Sequence, residues 1–218
     1  MSEFLALYDY RRLVAAMYHE RNEALMAGAD PVAVWERFRA ARDELFARHP
    51  QSALDEEQRR SFHNLPYFPY NPAMRFVVDI DTAVEQARHT MLMNARESMT
   101  LVVVGKVRFV IEDQPVTLAI YWLDIYGGGL FLPFRDTTCV KESYSGGRYL
   151  FDTIKGSDFL AVPGSGGRRI MLDFNYAYNP SCAYNNRWIC PLAPAENHLT
   201  VAIRAGERRQ ALALQGAA

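Results

Sequence analysis

The chain has 218 residues, of which 50% are hydrophobic and 22% are charged, and its formal net charge is −1. This balance disfavours nucleic acid as a partner, because phosphate binding needs a surplus of Lys and Arg on one face. No apolar run is long enough for a membrane span, and the polar N-terminus lacks a signal-peptide core. The three cysteines do not form the pattern of an exported protein, so a cytoplasmic location is expected.

Two long helices are predicted at the start of the chain. Apolar residues recur at helical spacing over residues 4–27, with Arg and Glu between them. Asp30-Pro31 then has the residue types that open a second helix, because Asp caps the first turn and Pro fits it. The apolar stripe of this helix runs to His49-Pro50, where the helix is expected to end.

A short third helix and an arginine-rich surface are also expected. The third helix spans 55–63, where Asp55 and Gln58 have the spacing of a capping box. Acidic residues interleave the arginines of the first two helices, which indicates a helical face exposed to solvent. These arginines are Arg11, Arg12, Arg37, Arg39 and Arg42.

After Leu65 the chain changes to short β-type runs separated by turn signals. Residues 101–111 and 116–125 flank the turn-forming sequence EDQP and predict a hairpin. About eight strands at short spacing favour a sandwich or a partly open barrel over an alternating βαβ sheet. The remaining predicted strands are 75–81, 129–134, 147–153, 169–178 and 198–206, and 81–98 is ambiguous.

These patterns predict the fold class and the domain organisation. The expected fold is α+β and mainly β, with N-terminal helices followed by an antiparallel β-sandwich or a partly open β-barrel. A single domain is expected over 1–218, since a chain of this length buries enough surface to fold without disulfides. It would consist of a helical N-terminal part at 1–64 and a β-rich body at 65–209 that carries the candidate site.

Several motifs occur in a specific order in the β-rich body. They are LFLPFRDTT, GGRYL, LDFNYAYNPSCAY and CPLAPAEN. With these motifs the chain resembles a family of bacterial and archaeal proteins of similar length that is classified only as a domain of unknown function. The resemblance covers roughly residues 31–209. It implies a soluble prokaryotic domain without an established activity, and no catalytic role is carried over from it.

Polar residues at the ends of apolar strands define the candidate site. Asp173 and Asn175 alternate with apolar residues, so a strand would direct both to the same face. Tyr178 opens the turn that follows. Four other polar or aromatic residues lie at strand ends, where binding sites on β scaffolds tend to occur. They are Asp136, Arg148, Tyr149 and Glu196.

The site allows a binding or a catalytic interpretation. We expect a pocket for a small polar or anionic metabolite, with Arg148 as the anchor and Asp136, Tyr149, Asn175 and Tyr178 as further ligand-binding residues. Asp173 and Glu196 are the candidate acid and base of a hydrolase-like activity.

The alternative is a non-enzymatic binding or interaction module in which the same polar groups form a structural network. In it, Arg148 pairs with a carboxylate and fixes the strand ends. The working surface would then be the N-terminal helices, which could form a homo-oligomer. The sequence does not identify a cofactor.

The cysteines allow several interpretations. Cys182 and Cys190 are separated by AYNNRWI. A redox-active disulfide between them is conceivable, but the spacing is neither the C-x-x-C form of a redox motif nor the paired spacing of a zinc site. Cys139 and His198 are possible extra metal ligands, but the pattern is weak and no metal site is predicted. Free cysteines also occur as small buried apolar residues.

Overall fold

The protein is described by a computed structural model that covers residues 2–93 and 98–210. Three α-helices come first in the chain, followed by β-strands and short 3₁₀ helices. The α-helices are α1 (Glu3–Met26), α2 (Pro31–Arg48) and α3 (Glu56–Arg60).

The helices begin where local side chains satisfy free backbone N–H groups. Asp30 accepts a hydrogen bond of 3.0 Å from the backbone nitrogen of Ala33, and Pro31 occupies the first turn. Asp55 and Gln58 form the predicted capping box. The predicted helices are therefore confirmed, although the third is shorter than expected.

The strands form two antiparallel sheets that do not close into a barrel. A five-stranded sheet has the order β2-β3-β4-β5-β6, and a three-stranded sheet has the order β1-β8-β7. The fold is therefore α+β, mainly β and sandwich-like. The strands are β1 (Arg75–Asp79), β2 (Arg88–Leu92), β3 (Ser98–Ile111), β4 (Gln114–Leu123), β5 (Gly129–Phe134), β6 (Arg148–Asp152), β7 (Leu160–Ala161) and β8 (Arg169–Asp173).

The hairpin of β3 and β4 forms the centre of the larger sheet. Glu112 and Asp113 connect the two strands with φ angles of 47° and 64°. Two consecutive residues with positive φ match the twist of the flanking strands, so the connection is tight. Ile111 pairs with Gln114, and the ladder continues to Leu101 and Leu123 with one irregularity. The predicted hairpin is confirmed with a shorter turn.

The main core lies between the two sheets. Val107 and Leu118 of the larger sheet pack in one cluster with Ile170 and Leu172 of the smaller sheet, and all four are buried. Ile203 from the C-terminal segment belongs to the same cluster. Burial of these aliphatic side chains provides the main driving force for joining the sheets.

The helices pack against the end of β8. Phe38 of α2 lies between Tyr18 of α1 and Tyr176, with edge-on ring contacts at centroid distances of 5.0 and 4.9 Å. The indole Nε1 of Trp35 donates to the backbone oxygen of Asn175 at 3.1 Å, in a buried position. The helical part and the β-rich body therefore share a core.

The predicted strand 169–178 is wrong beyond Asp173. Asp173 is the last residue of β8, and the chain then turns into the 3₁₀ helix Phe174–Tyr176. The Asp173 side chain causes this change, because it accepts a hydrogen bond from the backbone nitrogen of Asn175 at 3.1 Å. Asp173 and Asn175 therefore do not lie on one face of a strand.

The predicted strand 198–206 is also wrong. The first part of this segment bonds to the backbone of Arg135 and Thr137. Around Ile203 side chains take the place of strand partners: Asp136 accepts from the backbone nitrogen of Ile203, and Arg148 donates to the backbone oxygens of Ile203 and Ala205. These bonds satisfy the backbone without a ladder. The short strand Leu160–Ala161 was not predicted.

No helix in the described part of the chain is both long and apolar enough to cross a membrane.

Candidate functional site

Arg148 and Asp136 form a buried ion pair. Arg148 Nη2 lies 3.1 Å from Asp136 Oδ1, and both side chains have 0% exposure. The other donors of Arg148 bind the backbone oxygens of Ile203, Ala205 and Glu207. The pair therefore attaches the C-terminal segment to β6 and is closed to solvent.

Tyr149 and Tyr178 lie side by side. Their rings meet edge-on at 5.7 Å, and their backbones form an isolated β-bridge. The Tyr149 hydroxyl donates to the backbone oxygen of Pro191, and the Tyr178 hydroxyl lies 2.6 Å from Ser157 Oγ. Both hydroxyls are therefore held by protein groups.

Glu196 lies on the larger sheet, near β2 and β4. The Tyr121 hydroxyl donates to Glu196 Oε1 at 2.5 Å, and His89 Nε2 lies 3.3 Å from the same oxygen. Burial and the bond to this carboxylate raise the pKa of Tyr121. Glu196 is exposed, so this cluster lies at the surface.

Asp173 and Asn175 lie at the end of β8 in the smaller sheet. Asp173 Oδ1 accepts from the backbone and the side-chain nitrogen of Asn175, at 3.1 and 2.9 Å. Asn175 in turn binds the backbone of Asn71 at 2.8 and 2.9 Å. Asp173 Oδ2 lies 2.9 Å from Arg75 Nε but without hydrogen-bond geometry, so this oxygen has no hydrogen bond among the described residues.

A shallow cleft opens beside Asp173, between α1 and the strands β6 and β8. It has a volume of about 330 Å³ including space open to solvent, and about 10 Å³ of it admits the centre of a water molecule. The enclosed part is therefore about the size of one water molecule. We call this site the Asp173 cleft; its lining includes Arg21, Leu25, Asp158, Met171, Asp173 and Tyr176.

Arg21 provides the positive charge of the Asp173 cleft. Its guanidinium carbon lies 4.7 Å from the ring centre of Tyr18 and 4.8 Å from that of Tyr176, which are cation–π distances. Arg21 Nε and Nη2 bind the side chain of Asn22, and Nη2 also binds the backbone oxygen of Asp158. Its Nη1 makes no hydrogen bond to the described residues.

Burial sets the protonation of the cleft. Asp173 is 8% exposed, and burial raises its pKa against the opposing effects of Asn175 and Arg75. Burial also raises the pKa of Tyr176, whose hydroxyl has no hydrogen-bond partner among the described residues. The cleft therefore contains a phenol and a guanidinium nitrogen without hydrogen-bond partners among the described residues, and a carboxyl oxygen that is ion-paired with Arg75 but accepts no hydrogen bond from them.

A second buried ion pair joins α2 to the C-terminal segment. Arg42 Nε lies 2.6 Å from Glu207 Oε1, with side-chain exposures of 6% and 0%. The hydroxyls of Tyr67 and Tyr184 and the backbone nitrogen of Asn179 also donate to Glu207. The prediction of a solvated arginine face is therefore wrong for Arg42, because its carboxylate partner is 165 residues away in sequence.

Only Asp173 among the seven predicted site residues lines the Asp173 cleft. Arg148 and Asp136 are paired in the interior, Tyr149 and Tyr178 form a second group, and Glu196 lies on the other sheet. Sequence analysis also missed Arg21, whose one available signal was its position on a predicted amphipathic helix. Within the described residues, no group of three or more His, Cys, Asp or Glu side chains is arranged to hold a metal ion.

The fold and the cleft define the class of protein: helices packed on an open two-sheet body, with a polar cleft at their junction. Residues 60–208 match the family described as Protein of unknown function (DUF1684), and the chain belongs to this family. The predicted membership of a family of unknown function is thereby confirmed, over a shorter range than predicted. The matched range includes Asp173 and Tyr176 but not Arg21.

One solved structure supports the same fold. The solution NMR structure of an uncharacterized protein from Haloarcula marismortui is 31% identical in sequence and has a TM-score of 0.58. The similarity covers 83% of this chain and 94% of that chain. No curated protein matches the chain significantly.

Proposed function

We propose that the protein binds a small polar, anionic metabolite in the Asp173 cleft. The observation that carries this proposal is the unused hydrogen-bonding capacity of two buried side chains that line the cleft, Asp173 and Tyr176. A buried polar atom without a partner costs free energy, and such atoms concentrate at sites where a ligand or water supplies the missing bond.

Arg21 defines the chemical class of the ligand. Its stacking between Tyr18 and Tyr176 and its bonds to Asn22 and Asp158 hold the guanidinium in place, while Nη1 stays available. A preorganised guanidinium favours a carboxylate or a phosphate. Asp173 Oδ2 would accept from a hydroxyl or amine of the same ligand. The proposed ligand is therefore a hydroxy acid or a phosphorylated alcohol that binds in the open part of the cleft, because the enclosed part holds about one water molecule.

Asp173 is also the candidate acid–base residue if the ligand is turned over. Burial raises its pKa, which favours the protonated form that can act as an acid. Glu196, the second carboxylate proposed from the sequence, contacts Tyr121 and His89 and lies apart from the cleft. A hydrolase-like reaction in this cleft would therefore use Asp173 with Tyr176 or a water molecule.

A thermal-shift screen tests the proposal. The full chain is heated with phosphate, pyrophosphate, malate, citrate and a phosphorylated alcohol, each over a range of concentrations. A ligand that saturates the cleft at 100 times its Kd should add about 2.7 kcal/mol, which is a rise in Tm of roughly 5–10 °C for a chain of this size.

Tyr176→Phe shows whether a rise in Tm comes from binding in the Asp173 cleft. Its hydroxyl has no partner in the structure, so the variant should fold normally but lose most of the ligand-dependent rise in Tm. Tyr121→Phe removes a hydroxyl outside the cleft and should retain the rise. If no compound raises the Tm of the wild type, or if Tyr176→Phe responds like Tyr121→Phe, the proposal fails.

A second candidate function is association through the N-terminal helix. Phe4, Leu5 and Tyr8 of α1 are 84%, 59% and 67% exposed. Phe4 and Tyr8 are four residues apart and lie on the same side of the helix. An exposed apolar patch of this kind is typical of an interaction surface. We propose that it packs against a second copy of the chain.

Size-exclusion chromatography with light scattering, which gives the mass of the eluted protein, tests the association. The wild type should elute with the mass of a dimer, and Phe4→Ser/Tyr8→Ser should elute with the mass of a monomer. The control Val110→Ser removes an exposed apolar side chain on β3 and should leave the dimer intact. A wild type that stays monomeric at every concentration contradicts this candidate.

A further inference from the structure

Two cysteines meet at the ends of one loop, apart from the Asp173 cleft. Cys182 lies in the 3₁₀ helix Ser181–Ala183, and Cys190 directly precedes Pro191. Cys190 Sγ accepts a hydrogen bond of 3.4 Å from the backbone nitrogen of Cys182. Both thiols are free and half-buried. The loop therefore brings a pair of reduced thiols together within reach of solvent.

The neighbours of the two thiols are not equivalent. The Tyr144 hydroxyl lies 3.6 Å from Cys182 Sγ and donates to it. Cys190 Sγ accepts from the backbone nitrogen of Cys182, and the charge of Lys155 also favours the Cys190 thiolate. Interaction with the Cys182 side chain is the main cause that lowers the pKa of Cys190, while the same interaction raises the pKa of Cys182.

The loop between the cysteines is held against the helical part. Arg187 Nη2 donates to the backbone oxygen of Ser52 at 2.9 Å, and Trp188 Nε1 donates to that of Ala53 at 3.1 Å. Asn185 Nδ2 binds the Asp55 carboxylate at 3.0 Å. These contacts keep the two ends of the loop together in the reduced protein, so a disulfide does not require the chain to close a flexible loop.

We propose that Cys182 and Cys190 form a thiol–disulfide exchange site for low-molecular-weight disulfides. The Cys190 thiolate attacks one sulfur of the disulfide, forms a mixed disulfide and releases one thiolate. Cys182 then loses its proton and attacks Cys190 Sγ, which releases the second thiolate. The protein loses two hydrogens and gains one disulfide, while the small disulfide is reduced to two thiols.

Oxidised glutathione serves as the probe. The reduced full chain is incubated with it, the remaining thiols are alkylated, and the products are identified by intact mass and peptide mapping. We expect an internal disulfide between Cys182 and Cys190, with Cys139 still alkylated. Cys139→Ser is the matched control and should give the same disulfide.

Two variants assign the roles of the thiols. Cys182→Ser should accumulate a stable glutathione adduct on Cys190, because no resolving thiol remains. Cys190→Ser should form its adduct on Cys182 about tenfold more slowly, because burial still raises the pKa of the Cys182 thiol after Cys190 is removed. A wild type without the internal disulfide overturns the proposal. So does an equal rate of adduct formation in the two variants, or a Cys182→Ser variant without an adduct on Cys190.

Discussion

At the scale of single residues, burial separates charged groups that are paired inside the protein from those that can still contact a ligand. Arg148 has all of its terminal nitrogens engaged, whereas Arg21 retains Nη1 beside a cleft. The same residue type therefore plays two roles. Arg148 is closed to solvent, so its unpartnered Nε is out of reach of a ligand, whereas Arg21 lines a cleft.

Replacement of Arg148 tests its structural role. Arg148→Ala leaves Asp136 buried without its cation and removes the donor to three backbone oxygens, so we expect a loss of about 3–5 kcal/mol of stability. Arg204→Ala is the control, because Arg204 pairs with Glu142 at the exposed surface and its loss should leave the stability nearly unchanged. Urea denaturation measures both. Equal stability of the two variants would contradict a structural role.

The raised pKa of Asp173 predicts a pH dependence. Between its ordinary value of 3.8 and the raised value, the folded state binds more protons than the unfolded state, so stability falls as pH rises. Asp173→Asn removes this penalty. Its stability relative to the wild type should therefore increase from about pH 4 upward, as measured by denaturation across pH.

An exposed aspartate gives the baseline for this measurement. Asp79 has a side chain that is 83% exposed, so Asp79→Asn reports the effect of removing a carboxylate at the surface. For each variant, the difference in unfolding free energy from the wild type is plotted against pH. If the two variants give the same slope, burial does not raise the pKa of Asp173.

At the scale of elements, turns position the strands that carry the polar residues. Gly147 precedes β6, has a φ of +89° and lies so close to Phe134 that an added Cβ would be 2.4 Å from its backbone oxygen. Gly164 has a similar φ of +75° but open space around it. The two glycines therefore share the backbone requirement and differ in packing.

The pair of glycines gives a matched test. Gly164→Ala should cost about 1–2 kcal/mol from the left-handed backbone alone. Gly147→Ala should cost at least about 2 kcal/mol more, because β5 and the turn must separate. Chemical denaturation of both variants measures the difference. Similar losses would show that the contact with Phe134 relaxes without cost.

At the scale of the whole molecule, buried contacts join the helical part to the β-rich body. Trp35 binds the backbone of Asn175 and Arg42 pairs with Glu207, and both contacts are buried. We therefore propose that the helical part and the β-rich body unfold as one domain.

Two probes of unfolding test this cooperativity. Helical circular dichroism and tryptophan fluorescence should give one shared midpoint in the wild type. Arg42→Ala leaves Glu207 buried without its cation, so both midpoints should fall together by on the order of 10 °C. Separate transitions, or a shift in only one probe, would show two independent units.

The sequence by itself determined the elements that depend on local interactions. The Asp30 and Asp55 caps, the apolar periodicity and the β3–β4 hairpin were all predictable, because each involves residues a few positions apart. The fold class followed from the same patterns, and the family from the resemblance carried by the ordered motifs of the β-rich body. The prediction of a strand over 198–206 was wrong because Asp136 and Arg148, which are distant in sequence, bond to the backbone of Ile203. No local sequence pattern encodes such contacts.

Only the tertiary structure decided which polar residues are available. Asp136 and Arg148, predicted as ligand-binding residues, form an ion pair in the interior. Asp173 lines one cleft with Arg21, which lies on a helix some 150 positions earlier in the chain. Burial and the distance between such groups depend on how α1 packs against β8, and that packing is a property of the assembled core. The candidate site therefore became visible only after the helices were placed on the sheets.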